Sequence, residues 1–274
     1  MLIEAARSKG LNEGAFVYGT VLMSNSASLL LPGSNLTNLL VLDGARVSGL
    51  DFARTMFAPW LVSVVVTWLV LWIVQRRQPT PSSTGSRASL PLTGRSGVIA
   101  IVGAAVLLVI LPDPAVPMLL LGASVTTWQR LTGHLRTASL LHATPIALVG
   151  LFVLAACLGT LSRLWAVPAM LITTAGRPEA TLFGALGAVA INNLPAASLL
   201  SSHPLAHPFF LLLGLNLGPN LAITGSLSAI LWLRVARHEH AAASMWTYTL
   251  LGLVLVPLSL AAAAGTLALV HPAT

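Results

Sequence analysis

Charged residues are scarce in this chain of 274 residues: they make up 8% of the sequence, whereas hydrophobic residues make up 56%. Soluble domains carry about 25% charged residues, so the composition argues against an ordinary soluble fold. Long apolar runs with few charges are typical of helical proteins that cross a lipid bilayer several times. We therefore predict an all-α integral membrane protein.

Cysteine and acidic residues are also rare, with one cysteine and seven Asp and Glu residues in the chain. A single cysteine excludes a disulfide framework within the chain. Cys157 follows two alanines and precedes a leucine, a setting typical of a small buried hydrophobic residue rather than a ligand. The sequence has no glycine-rich nucleotide loop, metal-ligand motif or nucleophile elbow. We therefore expect no enzyme activity, no cofactor and no metal.

Basic residues exceed acidic ones and give a formal net charge of +7. They lie in short segments between apolar runs, which indicates membrane topology rather than a nucleic-acid-binding surface. With residues 75–96 in the cytoplasm, the positive-inside rule is obeyed. The inner set is then Arg7, Lys9, Arg76, Arg77, Arg87, Arg95, Arg130, Arg136, Arg234 and Arg237, and the outer set is Arg46, Arg54, Arg163 and Arg177. We predict a multi-pass plasma-membrane protein with a cytoplasmic N-terminus and an external C-terminus.

A polar linker divides the apolar segments into two groups. Residues 1–74 hold an apolar segment at 14–42 and an unbroken run at 52–74, long enough to cross a hydrocarbon core of about 30 Å. Residues 75–96, rich in Pro, Ser, Thr, Gly and Arg, are expected to form a flexible cytoplasmic linker. Residues 97–274 hold two shorter runs, a basic loop at 234–240 and a last span at 241–270.

Polar residues and turn formers interrupt three of the apolar segments. In lipid, non-helical backbone must be buried in protein or line a wet cavity, and paired interrupted segments are the best sequence indication of a transporter's binding site. We predict broken helices over 14–42 and 209–231. We predict a re-entrant hairpin over 180–200, because a straight span there would place Arg234 and Arg237 outside. Opposite orientations of the two broken helices would form an inverted repeat.

The breaks supply a candidate binding site without charge. Its amide and hydroxyl side chains offer both donors and acceptors to a small polar solute: Asn25, Ser34, Asn35, Asn38, Asn192, Asn193, Asn216, Asn220, Thr224 and Ser226. A second set is expected to shape the breaks: Pro32, Gly33, Pro195, Gly218 and Pro219. The alternative is that the polar residues only connect neighbouring helices, at about 0.6 kcal/mol each.

These segments resemble the ArsB-type arsenite permeases of the ion transporter superfamily, which also includes NhaD-type sodium/proton antiporters, citrate carriers and dicarboxylate symporters. The segments concerned are SNSASL at 24–29, SNLTN at 34–38, AINNLPA at 190–196, GLNLGPNL at 214–221 and GSL at 225–227, with Trp232 after them. The resemblance implies an inverted-repeat transporter fold and a permease or antiporter that exports arsenite or antimonite. It also implies coupling to the proton gradient or to a partner ATPase, and the coupling ion expected is H⁺ or Na⁺. A carboxylate or Na⁺/H⁺ carrier is the alternative within this superfamily, and a non-transporting membrane subunit or truncated remnant is the alternative outside it.

The chain departs from the family pattern in two places. Asn25 stands where the permeases usually have an aspartate, so an intramembrane acid is missing. The family has two re-entrant hairpins, whereas only the second is present here. We therefore expect a C-terminal portion of the fold, with 1–74 as the remainder of the first repeat and 97–274 as the second repeat. The partners expected are the bilayer, the solute, a coupling ion, and a missing N-terminal half or a homodimer mate.

Overall fold

The computed structural model describes residues 13–42, 47–76, 102–104, 106–107, 111, 115–132, 145–165, 167–238 and 241–272. All regular structure in these residues is helical, which confirms the predicted all-α class. The helices are α1 Glu13–Ala27, α2 Leu36–Val41, α3 Gly49–Arg76, α4 Ala115–Leu131, α5 Pro145–Leu164, α6 Val167–Thr173, α7 Arg177–Ile191, α8 Asn193–Leu200, α9 Pro208–Leu217, α10 Leu227–His238 and α11 Met245–Val270. Most of the predicted linker and most of the apolar run that follows it lie outside the described residues.

Helices α3 and α11 are long and apolar enough to cross a bilayer, with 28 and 26 residues. At 1.5 Å per residue they span roughly 42 and 39 Å. Only 22% and 28% of their apolar windows are buried, and large side chains such as Trp68 and Leu253 are more than half exposed. An apolar helix with an exposed apolar surface is stable in lipid rather than in water, so these two helices favour a membrane protein.

The first apolar segment is a broken helix. Helix α1 ends at Ala27, a 3-10 helix follows at Pro32–Ser34, and α2 begins at Leu36. The Asn35 side chain accepts a hydrogen bond from the backbone N–H of Thr37 and so caps α2. The interruption lies where polar residues stand within the apolar run.

Helices α7 and α8 form a hairpin that reverses at Asn192. A Cβ atom built on Gly187 would lie 3.2 Å from Ala196 Cβ and 3.4 Å from Leu200 Cδ1. In a continuous helix, residues 187 and 200 would be about 20 Å apart. The chain therefore turns back on itself at 192, and the insertion of this hairpin into a membrane stays a prediction.

Several element boundaries differ from the sequence-based expectation. Helix α10 continues to His238, so the basic loop expected at 234–240 is wrong for 234–238. Arg237 lies in the last turn of α10, where a cation is favoured by the negative end of the helix dipole. Helix α11 begins at Met245 rather than at 241, because the Ser244 hydroxyl accepts a hydrogen bond from Thr247 N and caps it.

Helix α9 lies at the centre of the packing, and all its residues from Phe210 to Leu217 are buried. Its contact with α7 needs a residue without a side chain, because a Cβ on Gly214 would meet the Thr181 carbonyl oxygen and the Ala185 nitrogen. Small residues at a helix crossing let backbones approach closely. This packing places the end of α9, where the second break begins, inside the protein and against α1 and α2.

Candidate functional site

The two breaks repeat the same local backbone geometry. In the first, an extended residue, Leu31 (φ −125°, ψ 143°), precedes the 3-10 helix, and Asn35 (φ −146°, ψ 133°) follows it. In the second, the 3-10 helix Ile223–Gly225 lies between Ala222 (φ −140°, ψ 142°) and Ser226 (φ −144°, ψ 151°). The two extended residues that flank the 3-10 helix are the same number of positions apart in both breaks. This local repeat supports the expected relation between the halves, while the inverted-repeat fold of the whole chain stays a prediction.

Asn216, at the end of α9, connects the second break to the first. Its Oδ1 accepts hydrogen bonds from Ser28 Oγ at 2.7 Å and from Asn35 Nδ2 at 2.8 Å. Its Nδ2 donates to Asn38 Oδ1 at 2.8 Å and to the Leu212 carbonyl at 2.9 Å. The side chain is 1% exposed; the bonds to Ser28, Asn38 and Leu212 are buried, and the bond to Asn35 is partly buried. Asn216 therefore holds together the polar groups of the first break.

Asn25 makes the reciprocal connection from α1 to the second break. Its Nδ2 donates to Asn220 Oδ1 at 2.8 Å, and its Oδ1 accepts from Ser228 Oγ at 3.2 Å. Asn220 Nδ2 donates in turn to the Leu22 carbonyl at 3.2 Å. Each break thus supplies a buried amide that binds polar groups of the other, an arrangement expected of two elements related by local two-fold symmetry.

A cavity of about 190 Å³ opens where the breaks and the hairpin tip meet. Its polar lining comes from all three elements: Ser24, Asn25, Ser28, Ser34, Asn35, Asn193, Ser226 and Ser228, with Leu36, Leu194 and Leu227. Ser24, Ser34 and Ser228 are exposed, whereas Asn25 and Asn193 are buried. The cavity therefore has an open polar rim and a buried polar wall.

The cavity contains five of the ten predicted binding residues: Asn25, Ser34, Asn35, Asn193 and Ser226. Three others lie behind its wall as buried connections, namely Asn38, Asn216 and Asn220. Asn192 occupies the hairpin turn, and Thr224 is exposed beside it. Ser24, Ser28 and Ser228 also line the cavity and are absent from the predicted set, although the first two stand in the same polar run as Asn25.

The Asn193 side chain is 6% exposed and lines the cavity. Among the described residues its amide has no hydrogen-bond partner, unlike the other cavity-lining asparagines. The amide atoms are not among the fully buried side-chain polar atoms that lack a partner, so they are open to the cavity rather than enclosed by protein. Water or a bound solute in the cavity would satisfy them, so Asn193 identifies the wall to which a ligand would bind.

The described residues that line the cavity include no charged side chain. The acidic residues that the structure describes, Glu13, Asp51 and Glu179, lie in the first turns of α1, α3 and α7. Cavity residues at the start of α8 and α10 belong to helix N-termini, which carry a partial positive charge. The electrostatic character of the site therefore suits a neutral polar solute or a small oxyanion rather than a bare cation.

Asn192 has the unusual torsion angles of the hairpin turn, φ 78° and ψ 149°, and it is the one non-glycine residue with positive φ among those described. Its Nδ2 donates to the Thr224 carbonyl at 2.9 Å and joins the hairpin to the second break. Asn192→Gly relieves backbone strain of about 1–3 kcal/mol but loses a hydrogen bond of about 1 kcal/mol. Asn192→Ala loses the bond without the relief.

We therefore expect Asn192→Gly to be at least as stable as Asn192→Ala. Thermal unfolding of the two variants in detergent tests this order. A higher unfolding temperature for Asn192→Ala would contradict the assignment of strain to this turn.

The residues expected to shape the breaks lie at the turns. Pro32 and Gly33 form the first 3-10 helix, Gly218 and Pro219 begin another 3-10 helix at Gly218–Leu221, ahead of Ile223–Gly225, and Pro195 lies in the first turn of α8. A Cβ on Gly218 would lie 2.6 Å from Ala185 Cα, so glycine permits the close contact with α7. The Tyr248 hydroxyl donates to the Pro219 carbonyl at 2.9 Å and fixes the second turn to α11.

Cys157 is exposed on α5, so the expected buried setting is wrong. It lies in an apolar surface depression with Phe152 and Leu161, away from the polar cavity. The described residues also contain no group of three His, Cys, Asp or Glu side chains placed to hold a metal ion.

Comparisons with protein-family models, with curated proteins and with solved structures give no match to this chain.

Proposed function

We propose that the protein is a secondary membrane transporter whose cavity binds a small inorganic solute or oxyanion, with arsenite or antimonite efflux as the leading function. The observation that carries this proposal is the polar cavity at two adjoining helix breaks, with an Asn193 amide in its wall that is open to the cavity and has no hydrogen-bond partner among the described residues. Irregular backbone inside an apolar protein is expected where it encloses a solute pathway. The exposed apolar surfaces of α3 and α11 support a location in a membrane, and the plasma membrane is the one proposed.

The size and charge of the cavity favour this class of solute. A volume of about 190 Å³ corresponds to roughly six water molecules, ample for arsenous acid with its single arsenic and three oxygens. Citrate carries three carboxylates, and burying them requires compensating charges that the lining residues do not supply. A bare Na⁺ or H⁺ carrier normally has a carboxylate in its pathway, and none is present in the described part of the cavity lining.

The proposal is tested by uptake of labelled arsenite, antimonite, phosphate and citrate into liposomes that contain the purified chain, under an imposed proton gradient. We expect arsenite or antimonite uptake above that of empty liposomes. Uptake of citrate alone would favour a carboxylate carrier, and uptake of no solute by correctly folded protein would favour a non-transporting membrane subunit. Either result would overturn the arsenite assignment.

Asn193→Ala separates binding from folding. Because the Asn193 amide has no partner within the described chain, its removal is expected to leave the unfolding temperature within about 2 °C of wild type. It also removes a hydrogen-bond donor and acceptor that are open to the cavity, so we expect at least a tenfold loss of uptake, equivalent to about 1.4 kcal/mol. Ser202→Ala, an exposed polar truncation, serves as the control with unchanged uptake. Wild-type uptake by Asn193→Ala would remove this residue from the site.

A further inference from the structure

At the first helix break, carbonyl oxygens without a helical hydrogen bond accept hydrogen bonds from side chains of the chain itself. Asn38 Nδ2 donates to the Ser28 carbonyl at 3.0 Å and to the Leu31 carbonyl at 3.2 Å, so both amide protons are used. The Ser34 hydroxyl also lies against these two oxygens, and Ser34 N donates to the Leu31 carbonyl. A carbonyl oxygen has two lone pairs, and both are therefore used at Ser28 and Leu31.

The second break is held in the same way. Asn192 Nδ2 donates to the Thr224 carbonyl at 2.9 Å, and the Tyr248 hydroxyl donates to the Pro219 carbonyl at 2.9 Å. Each donor comes from outside the break whose oxygen it binds. An amide or hydroxyl proton thus stands at each of these freed oxygens.

Broken helices of membrane carriers commonly use such freed carbonyl oxygens to coordinate Na⁺. A cation needs several oxygens with free lone pairs, and a positive charge inside an apolar protein needs a negative partner. Here the oxygens at Ser28 and Leu31 already have partners, and Asn38 is fully buried between them. Among the residues that the structure describes, none with an acidic side chain lines the adjoining cavity.

We propose that the Asn38 amide takes the place of a coupling cation, so that the protein binds its solute without Na⁺. The proposal rests on the transport function proposed above, and it assigns Asn38 as a specificity-determining residue rather than a solute ligand. The partial positive charge of its two N–H groups holds the broken backbone in shape. Neither the Ser28 nor the Leu31 carbonyl oxygen is therefore free to coordinate sodium.

The test compares thermal unfolding and arsenite uptake of the wild-type protein in sodium, potassium and choline chloride at equal ionic strength. We expect the unfolding temperature to differ by less than about 1 °C among the three salts and uptake to differ by less than about twofold. Asn38→Asp puts a carboxylate opposite the two carbonyl oxygens and creates the missing ligand set. Sodium should then raise the unfolding temperature by about 3–5 °C relative to choline.

Asn25→Ala is the matched control, because it removes a buried amide whose acceptor is the Asn220 side chain rather than a backbone carbonyl. It should lower stability without any response to sodium. The proposal would be overturned, whatever the variants do, if sodium raised wild-type uptake more than about tenfold or raised the wild-type unfolding temperature by more than about 3 °C. An Asn38→Asp protein that folds and ignores sodium would also contradict it. Arsenite uptake only in sodium would leave the transport function standing, whereas sodium-indifferent stability with no uptake would refute that function alone.

Discussion

Asn216→Ala is expected to unfold the junction between the two helix breaks and to abolish transport. The substitution removes the acceptor for Ser28 Oγ and Asn35 Nδ2 and the donor for Asn38 Oδ1. Asn38 Oδ1 is left without this donor in a fully buried site, whereas Ser28 and Asn35 line the cavity and Ser28 Oγ still donates to the Asn25 carbonyl. Losses per bond range from about 0.6 kcal/mol in membrane proteins to about 1–3 kcal/mol for buried groups in general. We expect a total loss of about 2–4 kcal/mol in the free energy of unfolding.

The measurement is thermal unfolding of the purified protein, followed by tryptophan fluorescence, together with uptake into liposomes. Asn193→Ala is the matched control, since it removes the same chemical group from the same region without breaking a hydrogen bond. The two variants should share the loss of uptake and differ in stability. Equal unfolding temperatures for Asn216→Ala and the wild type would show that the connection between the breaks does not stabilise the fold.

Gly252→Ala is expected to push α11 away from the second break. A Cβ atom at this position would overlap the Asn220 carbonyl oxygen and lie 2.7 Å from Leu221 Cα, both of them backbone atoms that cannot rotate aside. Overpacking of this kind costs about 1–3 kcal/mol or more, against a gain of up to about 1 kcal/mol in helix propensity. The shift would also separate the Tyr248 hydroxyl from the Pro219 carbonyl. We expect a net loss of about 2 kcal/mol and reduced uptake.

Gly265→Ala provides the control within the same helix. No atom lies within 4 Å of a Cβ built there, so this variant gains helix propensity without a clash and should unfold at or slightly above the wild-type temperature. Opposite signs for the two glycine substitutions would identify close packing as the cause. A Gly252→Ala protein as stable as Gly265→Ala would mean that α11 does not press against the second break.

The positions of the breaks can be predicted from sequence, because polar residues grouped with Gly and Pro inside an apolar run seldom belong to a continuous membrane helix. The charge of Arg234 and Arg237 predicts the hairpin at Asn192, even though both arginines are helical. Sequence alone makes Asn192 and Asn193 equivalent. Asn192 closes the hairpin turn and Asn193 faces the cavity. Backbone torsion angles set this difference, and a sequence of two identical residues does not reveal them.

The connections between the breaks cannot be predicted, because they join residues far apart in the chain. In the sequence, Asn216 and Asn38 fit a role as solute ligands and a structural role equally well. The structure separates the two roles, because their side chains form a hydrogen bond with each other. Serines in apolar helices usually bond to their own backbone, which is why Ser228 gives no signal despite its place at the cavity. The exposure of Cys157 is hidden for another reason: a short local sequence does not show which side of a helix meets other helices.

The reciprocal bonds between Asn25 and Asn220 and between Ser28 and Asn216 have a consequence for biosynthesis. The first break leaves the ribosome long before Asn216 and Asn220, which complete its hydrogen bonds. Until α9 arrives, its amides and hydroxyls have no protein partner and are unsuited to hydrocarbon. We expect the nascent N-terminal part to wait in a hydrated or chaperoned setting, and the insertion of α9 to be the event that commits both halves to the bilayer.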